Sequence, residues 1–206
     1  MTLDRSLNCF LVSGVLSLMP ILAAAAPAQP CGGSETTPCV CQILPLGVTP
    51  LEQGFVLGGE YVLMSGHGRG RKGACGVLDL PPCPTDPCDS ASGAGAIRCQ
   101  AFNGYSCCLD SGTRIRVMPG NKSGSLLEGL RARWQADTDQ RSGIRLADYH
   151  GNGRRFVNVL VVVGAGPLER AVVTTGRLAR FFLGSLPERS SDDLTGEFAG
   201  YYSSGP

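Results

Sequence analysis

"RRFVNVLVVVGAGPLERAVVTTGRLARFFLG", residues 154–184, decides how this chain folds. Its middle, "VVVGAGPLER" (161–170), has a strand end followed by Gly164, Gly166 and Pro167, the spelling of a dinucleotide-binding phosphate turn. Such a turn needs glycine at three places: for tightness, for approach of the pyrophosphate, and for packing the helix on the strand. Glu169 occupies the third place, putting an acid beside an anion site. The helix whose N-terminus meets the phosphate must follow at once. Here "AVVTT" (171–175) follows, a run of strand formers. The chain ends 36 residues after Arg170, too soon for the rest of that fold. The stretch therefore predicts two strands, 154–164 and 169–184, the second bent at Gly176. They form a hairpin at the centre of an antiparallel sheet, and no cofactor is expected.

Outward from this hairpin, "GFVLGGEYVLM" (54–64) alternates Phe55, Leu57, Tyr61 and Leu63 as a strand does. "CGVLDL" (75–80) and "GTRIRVMPG" (112–120) read as further strands, and "TGEFAGYYSSGP" (195–206) as an edge strand. One helix is predicted over "SGSLLEGLRARWQAD" (123–137), where Leu126, Leu127, Leu130 and Trp134 share a face. Ser123 or Ser125 would cap it. "PPCPTDPCDSASGAG" (81–95) reads as a cysteine-stapled loop. The expected fold class is α+β: a mostly antiparallel β-sheet with one short amphipathic helix and disulfide-stapled loops, in a single domain over 43–206. With 29 glycines and 14 prolines in 206 residues, the composition suits turns and a sheet better than a helical bundle. The formal net charge of +1 gives no field for nucleic acid.

Residues 1–28 read as an export signal, with a retained N-terminal anchor as the alternative. "FLVSGVLSLMPILAAAA" (10–26) is apolar and uncharged, short for a membrane span and interrupted by Pro20. The small residues that follow suit cleavage after Ala25 or Ala28. A cysteine-containing segment, 29–42, leads into the domain. Of ten cysteines, Cys9 lies in the leader. The other nine are Cys31, Cys39, Cys41, Cys75, Cys83, Cys88, Cys99, Cys107 and Cys108. All nine are disulfide candidates in an oxidising compartment, and the odd count leaves one over. Adjacent Cys107 and Cys108 are expected to take different partners, because a bridge between neighbours strains the intervening peptide. No C-x-x-C occurs and there are only two histidines, so no metal site is expected.

Two polar loops are candidate interaction sites. "SGHGRGRKG" (65–73) offers His67, Arg69, Arg71 and Lys72 on a solvated loop. "DYHGNGRR" (148–155) gathers Asp148, His150 and Arg154 in a turn before a strand. Hydrolysis would need His67 or His150 as base, and no Gly-x-Ser-x-Gly elbow accompanies either.

Four stretches carry a family resemblance: "GTRIRVMPGNKSGSLLEGLRAR", "YHGNGRRFVNVLVVV", "GRLARFFLGSL" and "TGEFAGYY". The Pro119, Gly120, Asn121, Gly124 turn before the helix is one shared pattern. Gly151 to Arg155 before a valine-rich strand, and Phe181 and Phe182 in a later one, are the others. In this order, over roughly 43–202, the chain resembles the periplasmic region of TadG-related Flp pilus-assembly proteins of the bacterial tight-adherence system. The resemblance implies an exported, non-enzymatic, periplasmic or extracellular protein. It would act by protein–protein interaction with cell-envelope or pilus-assembly partners. Membrane anchoring is implied only if the N-terminal segment stays uncleaved. No catalytic residues carry over. The alternative is an exported hydrolase or small-ligand-binding protein using the 148–155 turn.

Overall fold

The structure is a computed structural model and describes residues 42–49, 53–65, 74–107, 109, 112–118, 122–163 and 172–201. The leader 1–28, most of the 29–42 segment and the 66–73 loop lie outside the described residues. No helix among the described residues is long and apolar enough to cross a membrane.

Seven strands form one curled sheet: β1 (Ile43–Val48), β2 (Glu60–Met64), β3 (Ala74–Asp79), β4 (Arg114–Val117), β5 (Phe156–Val163), β6 (Val172–Phe182) and β7 (Leu194–Tyr201). Their order is β2-β7-β6-β4-β3-β1-β5, with β5 paired again to β6. β5 and β6 run antiparallel from Phe156↔Phe182 to Val163↔Thr174, flanking the turn whose reading opened the sequence. Residues 164–171 of that turn lie outside the described residues. The second β5 pairing closes β6, β4, β3, β1 and β5 into a circuit. β6 is long enough, at 11 residues, to serve β4 with its first half and β7 with its second.

The sheet is mixed rather than mostly antiparallel, because β1 runs parallel to β5. β1 was not legible as a strand: "ILPLGV" contains Pro45, which argues against an interior strand. The β1–β5 ladder jumps from Ile43↔Asn158 to Gly47↔Leu160, and Pro45 sits inside that break. All six β1 residues are buried, so packing on both faces outweighs its weak strand propensity.

Two cores follow from strand alternation. Ile43, Leu78, Ile115, Val117, Leu160 and Val162, with Leu178 packed on them, draw on every strand of the circuit and fill its inside. The odd residues of β5, Val157, Val159 and Val161, face the other way. They meet Leu44, Leu46, Phe181 and Phe198 and two helices, α1 (Gly93–Asn103) and α2 (Ser123–Gln135).

The second helix is a correction to the expectation of one. α1 is glycine-rich, with Gly93 and Gly95 in its first turn, and it buries only Ile97 and Ala101. The Cys88–Cys99 disulfide holds it to the preceding loop, and Cys83–Cys107 joins that loop to the segment after the helix, with Cα separations of 5.6 and 6.2 Å. Both lie inside the usual range for a bridge. α2 matches the predicted helix but is not capped by a serine. Its N-cap is Lys122, without a side-chain cap bond, and Ser123 Oγ donates to the Ser190 carbonyl, 3.0 Å away. β2 is confined to 60–64, since residues 53–59 turn beside β7 and Gly58 has φ +75°. β7 is not an edge: it lies between β2 and β6.

Candidate functional site

Arg155, at the foot of β5, is 1% exposed. Its guanidinium lies over the Trp134 ring at 3.7 Å, with the Phe182 ring at 4.9 Å. Nε donates to the Leu183 carbonyl (2.8 Å), Nη2 to Gly184 (2.5 Å) and Nη1 to Arg141 (2.6 Å). One planar, five-donor group thus binds the 139–141 loop to the end of β6. Burial lowers the affinity of Arg155 for its proton. Arg133 does a similar job on α2, donating to the carbonyls of Arg154, Phe102 and Phe156 at 2.7, 2.8 and 3.1 Å. Burial, with Arg154 nearby, brings the Arg133 pKa down to about 10.

This framework sets the walls of a cleft of about 110 Å³. Gly143, Ile144 and Arg145 form one wall, and Gly184 and Ser185 the other. The Gly143 N–H donates to the Gly184 carbonyl at 2.9 Å. The remaining lining comes from Glu60 of β2 and Thr195, Gly196 and Glu197 of β7. Glu60 and Glu197 face each other across the β2–β7 ladder. Glu197 accepts from Arg145 Nε (2.9 Å) and the Leu146 N–H (3.1 Å). Arg145 Nη2 reaches on to the Gly58 carbonyl at 2.8 Å. Glu60 accepts from the Thr195 hydroxyl at 2.8 Å.

Sequence reasoning did not find Glu60, Arg145, Thr195 and Glu197. Strand alternation in "EYVLM" and "LTGEFAGY" does place Glu60, Thr195 and Glu197 on the face opposite Leu63, Leu194 and Phe198. The pairing of strands 130 or more residues apart had no local signal.

The 148–155 turn is engaged in holding itself together. Buried Asp137 accepts from the Tyr149 hydroxyl (2.5 Å) and the Asp139 N–H (2.8 Å), and Tyr149 oxygen accepts from Gly153 N–H (2.6 Å). Burial, followed by the Asp137 hydrogen bond, pushes the Tyr149 phenol up to about 12. Buried Asp139 takes the Arg141 guanidinium at 2.9 and 2.7 Å and the His150 N–H at 3.1 Å. The Arg141 side chain, with the His150 and Arg141 backbone N–H groups, holds the Asp139 carboxyl well below the usual carboxylate range. Asp148 and His150 are exposed. Asp148 offers its carbonyl to Arg141 Nη2 at 2.7 Å. Arg154 lies over the Phe102 ring at 5.3 Å. None of Asp148, His150 and Arg154 lines the cleft.

His67, Arg69, Arg71 and Lys72 lie outside the described residues, as do Cys31, Cys39, Cys41 and Cys108 and the side chain of Cys75. No three His, Cys, Asp or Glu side chains among the described residues converge on a metal-sized site.

The bridged loop is supported by polar contacts as well. Buried Asp86 accepts from the N–H groups of Cys88 (2.7 Å) and Ser106 (2.9 Å), and Asp89 from that of Cys83 (2.7 Å). Two such bridges accord with an oxidising compartment. Compared with known proteins, the chain matches no protein-family profile, and no curated protein or solved structure is significantly similar to it.

Proposed function

We propose that the protein is an exported, non-enzymatic binding module of the bacterial envelope, periplasmic or extracellular. It acts by contact with cell-envelope or pilus-assembly proteins, as TadG-related proteins of the tight-adherence system are expected to. The observation that carries this reading is a rigid scaffold presenting an exposed apolar loop. Val56 and Leu57 are 64% and 71% exposed, the large apolar side chains most open to solvent among the described residues. They stand on a turn pinned by the Phe55 N–H to Tyr201 Oη (3.3 Å), Val56 N–H to Tyr61 Oη (2.8 Å) and Gly58 N–H to the Phe198 carbonyl (2.9 Å). Apolar side chains held open to water on a fixed loop favour a contact surface over a packing role. The alternative, a hydrolase using the 148–155 turn, gains no support from the exposed His150.

The experiment is deletion of the gene in its own bacterium, scored by surface pili in electron micrographs and by adherence. Loss of both, restored by the full chain, is the expected result. Unchanged piliation and adherence would sink the reading.

A further inference from the structure

The cleft beside β2 and β7 carries an unbalanced charge, which makes the partner's chemistry more specific. Like charges directly opposite on paired strands repel unless compensated. Glu197 is compensated by Arg145, but among the described residues no cation reaches Glu60. Two carboxylates and one guanidinium leave one negative charge at the mouth of the cleft. Its volume of about 110 Å³ has room for the end of one long side chain. Arg145 joins this cleft to the neighbouring turn, since it binds the carbonyl of Gly58, the residue after Leu57. The turn is already held in place, so little ordering cost opposes contact there.

We propose that the cleft and the Val56–Leu57 turn form one docking site for a partner segment in which a lysine or arginine is flanked by aliphatic residues. The cation sits against Glu60, and an aliphatic neighbour packs on Val56 and Leu57. Charge complementarity selects the cation, and the apolar pair supplies the buried contact. The proposal rests on the reading of the protein as a protein-binding module.

The test is a nuclear magnetic resonance titration of the ¹⁵N-labelled full chain with two peptides. One is acetyl-Leu-Lys-Leu-amide, and the other has norleucine in place of lysine. The lysine peptide should shift the amides of Leu57, Gly58, Arg145 and Thr195 saturably. Norleucine should weaken binding about tenfold or more, and Glu60→Gln should weaken the lysine peptide similarly. Equal response to both peptides, no saturable shift in the millimolar range, or shifts confined elsewhere would overturn the site. The peptide comparison uses the unaltered chain, so it does not depend on a variant folding. In the bacterium, the doubly substituted Leu57→Asp, Glu60→Gln chain should fail to restore pili to the deletion strain. If it restores them fully, this site falls and the binding-module reading stands. If deletion itself has no effect, that reading falls whatever the titration gives.

Discussion

Arg155 shows how a charged side chain becomes part of a core. It has no carboxylate partner at hydrogen-bond distance; carbonyl oxygens and an aromatic face take that place. Arg155→Met keeps the volume but leaves the Leu183 and Arg141 carbonyls without their donor and Gly184 with the Gly143 N–H alone. We expect a loss on the order of 3 kcal/mol in urea unfolding, since each buried acceptor left bare costs about 1–3 kcal/mol. An unchanged midpoint would contradict the role. Asp139 gives a pH prediction of definite sign. Its carboxyl is held down in the folded chain, chiefly by Arg141, and returns to about 3.9 on unfolding. Its contribution is therefore complete above about pH 4 to 5 and is lost as pH falls toward the folded value. Asp139→Asn should flatten the fall of the urea midpoint below about pH 4, and identical acid slopes would refute this. In sequence, Arg154 and Arg155 are adjacent and alike; the three carbonyls that Arg155 meets in space set it apart.

Among the elements, α1 and α2 cross where Gly129 of α2 leaves no space. A Cβ there would collide with the Arg98 carbonyl and the Ala101 methyl of α1. Helix propensity alone favours Gly129→Ala by about 1 kcal/mol. Overpacking at the crossing costs about 1–3 kcal/mol, and the obstacle is backbone. Gly129→Ala should therefore lower the thermal midpoint, and a rise would show that the helices are less tightly apposed. The elements legible in sequence were those with an uninterrupted pattern. β5 and β6 declared themselves by β-branched runs, and α2 by Leu126, Leu127 and Leu130 at helical spacing. β1 and α1 did not, because Pro45 in one and Gly93 and Gly95 in the other speak against the structure adopted. Burial on both faces rescues the strand, and a disulfide with two buried residues holds the helix.

At the scale of the molecule, two long-range pairings have no local signal: the parallel β1–β5 pairing within the circuit, and the β2–β7 pairing that builds the cleft. The disulfides act on the same scale, closing loops across sequence separations of 24 and 11 residues around α1. Each should stabilise the chain by about 3 kcal/mol relative to the reduced form, so reductant should lower the urea midpoint markedly. That two disulfides cross-link this scaffold around α1 is tested most directly by alkylating the protein in its own bacterium before lysis and mapping its cysteines by peptide mass spectrometry. The prediction is a Cys83–Cys107 and a Cys88–Cys99 cross-linked peptide, with those four thiols protected from alkylation. Recovery of Cys83, Cys88, Cys99 and Cys107 in alkylated, uncross-linked form would contradict it.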